Sequence, residues 1–374
     1  GSEMCIRDRR EYAQPVGVQI AVTIWRLFQA YWRNPNFLLA KLGLNLISGL
    51  FIGSTFWGQG QKETKIALQN RMFAIFMILC VSQPVAQQMQ PIFLQLRDIY
   101  EAREGPSKMY RWPVFVLSAA VVEIPWNLFC GTMLWLPWYF MIHFDYEGKR
   151  AAYSWGMYML YQLYYVSFAQ AVAIVSANAL LASMLFSTLY SFLVVFCGVM
   201  QPPGQMPYFW HSWMFYLAPF TWIIEGMFGD SIKNKPIRCA PEEMNRINPP
   251  PGQSCHAYMR GFTAPLSQLD KPGMGYYEVA QDGSCMYCTN RRAEEYINNI
   301  WMHSKNEYRD IGLVIAYIAF NFLLMFGLYA VARTNMLSRL FKSRRPAKPV
   351  ASVAAPAERN TTGTVPSSAG QDLA

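Results

Sequence analysis

Six apolar stretches occur along this chain, and each is long enough to cross a lipid bilayer. A transmembrane helix needs about 20 mostly apolar residues, because the hydrocarbon core is about 30 Å thick and a helix rises about 1.5 Å per residue. The chain has 374 residues and is 53% hydrophobic but only 15% charged, which excludes an ordinary soluble domain. Open strands cannot satisfy their backbone polar groups in lipid, so an all-α membrane bundle is predicted. The six predicted spans are 37–57, 72–94, 114–144, 153–177, 184–200 and 311–332.

Positive charges predict the orientation of this bundle. Lys and Arg concentrate before the first span, between the second and third spans, and after the sixth. The positive-inside rule makes these three regions cytoplasmic, so both termini are predicted inside and the polar insert 229–309 outside. This bias accounts for the net charge of +9 without a nucleic-acid partner. Membrane lipids are a predicted partner, and binding of lipid headgroups by the basic tail is compatible with this charge.

The segments at the two ends of the chain are predicted to lie outside the bundle. Residues 1–10 resemble translated adapter sequence and are expected to be a non-native extension. Residues 11–36 carry apolar side chains such as Val18 and Trp25 at helical spacing. They predict an amphipathic helix in the inner membrane interface, with a soluble linker helix as the alternative. Residues 336–374 are rich in Ala, Pro, Ser and Thr and are predicted to be a disordered cytoplasmic tail.

Segment 207–228 is too aromatic for water and is interrupted by Pro219, which indicates a re-entrant or interfacial hairpin. The insert 229–309 follows it, and residues 310–335 hold the last span. The insert contains Cys239, Cys255, Cys285 and Cys288, which lie outside the membrane on this topology, where thiols oxidise. Two disulfides are the favoured interpretation, with three possible pairings. A zinc site is the rival, although the spacing of the first two cysteines fits a ligand set poorly.

Two spans carry side chains that could line a solute pathway. Gln83, Gln87 and Gln90 share one helical face of the second span, where amides are costly toward lipid. They either line a pathway or hold neighbouring helices together. The fifth span has an aromatic and Met face that includes Phe192 and Phe196, which could bind apolar ligands or serve only for packing.

Two charged residues fall inside predicted spans. Glu123 is a candidate proton relay by default, but a structural salt bridge or helix cap is the favoured role. Lys41 is predicted to extend its ammonium group to the interface.

The connection 97–110 has charges of alternating sign followed by Gly105 and Pro106. This pattern predicts a short exposed helix that is either a solvated face or a docking element for a soluble partner. The chain contains no phosphate-binding loop, zinc-protease motif or nucleophile elbow, and its four histidines are scattered. It is therefore not expected to be an enzyme by itself, and no metal site is predicted.

Taken in order, several motifs are similar to the second, C-terminal transmembrane domain of fungal pleiotropic drug resistance transporters, in the G subfamily of ABC exporters. They are RDIYEAREGPSKMYRW at 97–112, EIPWN at 123–127, FCGVM at 196–200 with MPYFW at 206–210, and AYIAFN at 316–321. The resemblance implies a six-helix ABC-2 type bundle, and it makes 11–36 the helix that connects an upstream nucleotide-binding domain to that bundle.

The resemblance also implies roles for individual residues. It makes 97–110 the coupling helix, with Asp98, Tyr100, Glu101, Arg103 and Glu104 as coupling residues. It implies nested disulfides, Cys239 with Cys288 and Cys255 with Cys285. The second and fifth helices of such transporters line the substrate pathway, which here implies Gln83, Gln87, Gln90, Phe192, Val195, Phe196 and Val199.

The resemblance implies the transmembrane half of an ATP-driven exporter of drugs or lipids in the plasma membrane. The nucleotide-binding domains, which use ATP and Mg²⁺, and the first transmembrane half are not in this sequence, so it is expected to be a fragment of a full transporter. Its partners would be those missing domains and amphipathic small-molecule substrates. The alternatives are a free-standing channel or scaffold and a proton-coupled secondary transporter, although no inverted repeat is detected.

Overall fold

The computed structural model of the chain describes residues 12–260, 264–265, 275–298 and 300–333. The predicted extension 1–10 and the predicted tail 336–374 lie outside the described residues. The main helices are α1 (Val16–Trp32), α2 (Pro35–Thr55), α3 (Lys65–Cys80), α4 (Ser82–Ile99), α5 (Trp112–Ile142), α6 (Gly148–Val175), α7 (Ala179–Val195), α8 (Tyr208–His211), α9 (Met214–Leu217), α10 (Pro219–Ile232), α11 (Cys255–Met259), α12 (Ala293–Asn298) and α13 (Glu307–Arg333). The strands are β1 (Asn245–Ile247), β2 (Ala264–Pro265), β3 (Tyr276–Val279) and β4 (Cys285–Cys288).

Within the described ranges, five helical segments are long and apolar enough to cross a membrane: α2, the pair α3 and α4, α5, α6 and α13. The fifth predicted span, 184–200, has the wrong bounds. Asn178 accepts a hydrogen bond from the Leu181 amide at 2.8 Å and starts α7 earlier, at Ala179. The helix ends after 17 residues because Gly198 has a φ of +87° and Pro202 and Pro203 follow. At about 25 Å, α7 is shorter than the hydrocarbon core.

The second predicted span consists of two helices that meet at Val81. Pro84 has no N–H, so the carbonyl of Cys80 loses its helical donor. The carbonyl of Leu79 accepts hydrogen bonds from the hydroxyls of Ser82, Tyr161 and Tyr190 at 2.6–2.7 Å. These hydroxyls bind the carbonyl next to the break, and α3 and α4 continue as one long rod from Lys65 to Glu104.

The amphipathic helix α1 turns its polar side toward the bundle. Its buried residues are Gln19, Thr23, Leu27 and Tyr31, which recur every fourth position. The apolar stripe faces outward instead, with Val22 60% and Trp25 63% exposed. An outward apolar stripe of this kind suits the predicted position in a membrane interface, where lipid would cover it.

Small residues let α2 and α5 pack closely. A side chain at Gly49 would come within 2.5 Å of the Leu134 carbonyl oxygen, so glycine allows the two backbones to touch. Trp138 of α5 is buried and donates to the Ala74 carbonyl of α3 at 3.2 Å. The apolar core of the bundle therefore centres on α5 and its neighbours.

The described residues between 233 and 306 form a small unit, called the cap here, which lies between α10 and α13 in the chain. Its sheet has the strand order β1-β4-β3-β2, with β4 antiparallel to both neighbours and β2 parallel to β3. The prediction of an all-α protein is right for the bundle but missed this sheet. The short strands pair over only two to four residues, so they depend on cross-links as well as on packing.

Candidate functional site

A buried ion pair lies where α1, α2 and α5 meet. Lys41 of α2 donates from Nζ to Oε2 of Glu123 of α5 at 2.8 Å, and both side chains are at most 1% exposed. Tyr31, near the end of α1, donates its hydroxyl to the other carboxylate oxygen, Oε1, at 2.7 Å. Asn127, one turn further along α5, donates to Oε2 at 3.2 Å. Glu123 therefore ties three helices together.

The prediction for Lys41 was wrong: its ammonium group does not reach the interface but turns inward to Glu123. A charge inside a bundle is stabilised best by an opposite charge within hydrogen-bond distance, and Glu123 offers that partner 82 residues away. The favoured prediction for Glu123, a structural salt bridge, agrees with this geometry. Burial, together with the nearby Glu123, raises the pKa of Tyr31 well above its usual value, so its hydroxyl keeps the proton that it donates.

A second polar contact joins α1 to the end of α4. Arg26 forms a bidentate pair with Glu104, with Nη2 and Oε2 separated by 3.0 Å. The hydroxyl of Tyr110 donates to the same carboxylate, and Arg26 also lies over the Tyr110 ring, 5.7 Å from its centroid. The hydrogen bond to Glu104 raises the pKa of Arg26 further, so its charge is permanent. Helix α1 is thus fastened to the bundle at Arg26 and again at Tyr31.

The predicted coupling residues divide into an exposed and a buried group. Asp98, Glu101 and Arg103 are exposed, whereas Tyr100 and Glu104 are buried. The separate short helix predicted at 97–110 was wrong, because α4 continues into one π-helical turn, Tyr100–Glu104, before the chain turns. The buried residues hold this turn in place, and among the exposed ones Asp98 pairs with the neighbouring Arg97 at 2.9 Å.

Arg97 joins this turn to α6. Its Nη1 donates to the carbonyls of Ala173, Ile174 and Ser176 at 2.6–3.3 Å, where α6 ends and its last carbonyls lack helical donors. A cavity of about 540 Å³ opens beside it. Its lining includes Arg97, Tyr100, Glu101, Ser176, Tyr329 and Arg333. The cavity therefore sits among the ends of α4, α6 and α13.

The three predicted pathway glutamines do not share one environment. Gln87 is half-buried and donates to the Ser187 hydroxyl of α7 at 2.8 Å. Gln83 is also half-buried. Gln90 is fully buried, and its amide nitrogen lies 3.4 Å from the carbonyls of Ala169 and Ala182. Gln90 thus holds α4 between α6 and α7, whereas Gln83 and Gln87 lie at the edge of the buried face.

The predicted pathway residues near the end of α7 also separate. Phe192 is 50% and Val195 is 47% exposed, and both lie on the open face of the helix. Phe196 stacks on Trp210 with ring centroids 4.9 Å apart, and Val199 is buried beyond the helix end. Of the predicted pathway residues, Phe192 and Val195 are therefore exposed on α7, Gln83 and Gln87 are half-buried on α4, and Gln90 and Val199 are buried.

The comparison with known families decides what kind of membrane bundle this is. The sequence profile described as ABC-2 type transporter matches residues 18–229, which is more than half of the chain. The chain belongs to the ABC-2 type transporter family.

Relatives of this ABC-2 domain are fungal drug transporters. It is 39% identical over 334 residues to the "Brefeldin A resistance protein" of Schizosaccharomyces pombe, which covers 88% of this chain and 21% of that protein. It is 34% identical over 340 residues to the "Pleiotropic ABC efflux transporter of multiple drugs" of Saccharomyces cerevisiae, which covers 89% of this chain and 22% of that protein. The resemblance to the pleiotropic drug resistance group is confirmed, and the chain spans about a fifth of the length of these relatives.

The cap of this ABC-2 domain is closed by two disulfides. Cys239 is bonded to Cys288 and Cys255 to Cys285, the same nested pairs that the resemblance implies. Cys288 lies opposite Tyr276 in the sheet, and Cys285 lies opposite Val279. Both bonds therefore anchor on β4, the strand shared by β1 and β3. Among the described residues, no group of His, Cys, Asp and Glu is arranged to hold a metal ion.

Sequence reasoning missed the partners that position these residues. Arg26 was not linked to Glu104, and Lys41 was not linked to Glu123. The only sequence signal for these pairs was that the two residues of each pair carry opposite charges. Helical periodicity predicts the face of a residue but not which helix packs against it, so the pairings required the tertiary structure.

Proposed function

We propose that this chain is the substrate-translocating C-terminal membrane half of an ATP-driven exporter of amphipathic drugs or lipids. In this proposal the protein lies in the plasma membrane, with both termini and the Tyr100–Glu104 turn in the cytoplasm and the cap outside. ATP and Mg²⁺ would be bound by nucleotide-binding domains in the same full-length protein. The chain by itself would not hydrolyse ATP. The names of its relatives support drug efflux as the activity.

The observation that carries the proposal is the continuous rod formed by α3 and α4. One end of it holds the exposed charges Asp98 and Glu101, and its middle holds Gln83 and Gln87 on the edge of the open face. A displacement of the cytoplasmic end by an ATP-binding domain would therefore tilt the part of the helix that faces the substrate. Because Arg97 caps α6, this movement would extend to a second helix.

The open face of α4 and α7 is proposed as one wall of the substrate pathway. Phe192 and Val195 give this wall apolar contact area, and Gln83 and Gln87 give it hydrogen-bonding groups. Such a mixture suits amphipathic compounds of varied shape. The first transmembrane half of the full transporter would supply the opposite wall, and the cavity would switch from inward to outward access when ATP-driven movement repacks the two halves.

The proposal is tested by replacing both Glu101 and Arg103 with alanine in the complete transporter. Both side chains are exposed, so the variant should fold and reach the cell surface normally while drug-stimulated ATP turnover is abolished. Lys149→Ala, an exposed charge near the cap end of α6, is the matched control and should leave turnover unchanged. Unaltered turnover in the double variant at normal surface expression would contradict the coupling assignment.

A further inference from the structure

Glu243 of the cap contacts the first turn of α3, although 178 residues separate it from Lys65. Its carboxylate accepts the Lys65 amide at 3.0 Å on Oε2 and the Ile66 amide at 2.7 Å on Oε1. Each carboxylate oxygen therefore takes one backbone donor. The first-turn amides of a helix ordinarily donate to the side chain of the residue just before the helix. Here the acceptor comes from a distant segment instead.

The first turn of α3 is completed by this contact. The first N–H groups of a helix lack intrahelical acceptors, and the positive end of the helix dipole favours an anion beside them. Thr64 accepts the Ala67 amide through its hydroxyl at 3.2 Å and the Leu68 amide through its carbonyl at 3.1 Å. Glu243 accepts the two amides that Thr64 leaves. All four amides from Lys65 to Leu68 are therefore paired.

Contacts within the cap position Glu243. One of its carboxylate oxygens also accepts the Ala240 amide at 3.1 Å, which closes a tight turn just after Cys239. Cys239 is bonded to Cys288, and its own amide donates to the Tyr276 hydroxyl at 2.8 Å. The position of Glu243 thus depends on the disulfide and on the sheet behind it.

A second contact lies beside the first. Arg238 donates its amide to the Glu63 carbonyl at 3.0 Å, and its side chain pairs with the Glu63 carboxylate at 3.2 Å. Glu63 directly precedes Thr64, the N-cap residue of α3. The cap therefore contacts the start of this helix on both sides of Thr64.

We propose that Glu243 is a positioning residue that fixes the outer end of the α3 and α4 rod and so links the disulfide-bonded cap to the substrate pathway. This inference rests on the proposed function, because the pathway role of α4 belongs to it. The rod that Glu243 caps carries Gln83 and Gln87 in its middle and the coupling turn at its far end. Loosening the cap end would let the rod fray and tilt, so that movement at the coupling turn reaches the pathway less completely.

The contact itself is tested by hydrogen exchange in the complete transporter with Glu243→Ala. Loss of a helix cap corresponds to roughly a fivefold change in the local opening equilibrium, so the first-turn amides of α3 should exchange about fivefold faster. Glu242→Ala, at the exposed neighbour in the same turn, is the matched control and should not change them. Glu243→Gln keeps one acceptor oxygen and should give an intermediate rate. Unchanged exchange in Glu243→Ala would overturn the proposal.

The link to the pathway is tested by kinetics and by combination with the disulfide. At equal amounts of folded transporter, Glu243→Ala should lower maximal drug-stimulated ATP turnover severalfold without altering the drug concentration for half-maximal stimulation. The pair Cys239→Ser and Cys288→Ser should have the same effect and add nothing in the Glu243→Ala background. Faster exchange with normal turnover would refute the link to the pathway. If Glu101→Ala with Arg103→Ala leaves turnover unaltered while Glu243→Ala lowers it, the coupling assignment fails and the link between Glu243 and turnover stands.

Discussion

The bundle and the cap hold their polar groups by different means. In the bundle, Lys41 and Glu123 form an ion pair that is buried from solvent, and Tyr31 and Asn127 donate hydrogen bonds to the Glu123 carboxylate. In the cap, Arg246 pairs with Asp282 at an exposed site, and disulfides supply the stability. The reason is the surroundings. Where no water is available, every charge needs a protein partner, whereas a small sheet in water has too little core and needs covalent links.

The difference teaches where this domain tolerates change. A charge that loses its partner inside the bundle has no solvent to replace it, whereas an exposed pair in the cap exchanges one hydrated state for another. The cap instead depends on a few cysteines, whose loss enlarges the set of unfolded conformations. The following predictions, from the largest expected effect to the smallest, sharpen or break this contrast.

Replacing Glu123 with alanine should have the largest effect. It leaves the Lys41 ammonium buried without its partner, which costs about 3–5 kcal/mol and should greatly reduce the amount of folded transporter recovered after heating. The double variant Lys41→Met with Glu123→Leu removes both charges and should recover much of that loss. Lys149→Met, at an exposed lysine, is the control. A double variant as unstable as Glu123→Ala would show that burial of charge is not the cause.

Replacing Cys239 and Cys288 with serine should come next. The bond closes a loop with a sequence separation of 49, and its removal is expected to cost about 2–4 kcal/mol in the stability of the cap. Limited proteolysis should then cut within 233–306 while the membrane helices stay intact. The free Cys197, which is buried in the bundle, provides a control when it is replaced by alanine. Cap proteolysis unchanged from the parent protein would mean that the sheet is stable without this bond.

Replacing Tyr161 with phenylalanine should have a moderate effect. Its hydroxyl donates to the Leu79 carbonyl at 2.6 Å, but the hydroxyls of Ser82 and Tyr190 still satisfy that carbonyl in the variant. The expected loss is about 1 kcal/mol, measured as a small fall in the thermal midpoint. Tyr208→Phe, at an exposed tyrosine, should have no effect. A loss as large as that of Glu123→Ala would mean that the helix break at Val81 depends on this one hydroxyl.

Replacing Arg246 with alanine should have the smallest effect. Its pair with Asp282 is exposed on both sides, and such pairs contribute about 0–1 kcal/mol and weaken as salt rises. The variant should match the parent protein in thermal stability at physiological ionic strength. Glu63→Ala, which removes the partner of Arg238 beside α3, offers a comparison at another exposed cap contact. A large loss for Arg246→Ala would contradict the view that exposed pairs matter little in the cap.

Several parts of the candidate site could be predicted from the sequence for physical reasons that lie within single segments. The apolar length of α5 and the stripe on α1 follow from local composition and periodicity. The same local signals placed the start of the fifth helix five residues too late. They overlooked Asn178, which caps the start of α7, and the turn at Gly198, which follows its end. They also predicted a separate helix at 97–110. An alternating charge pattern does not distinguish a separate helix from the end of the preceding helix, which is α4 here.

By itself, the sequence determined that the chain has several apolar helices long enough to span a membrane and which family it belongs to. Those properties depend on the solvent preference of each residue and on motifs read in order along the chain. Only the tertiary structure decided that Lys41 meets Glu123, that Arg26 meets Glu104, that Gln90 is buried, and that Glu243 caps α3. The residues in the three pairs, Arg26 with Glu104, Lys41 with Glu123 and Glu243 with Lys65, are 78 to 178 positions apart in the sequence. Periodicity orients a side chain on its own helix, but the packing of whole helices selects the neighbour that it meets.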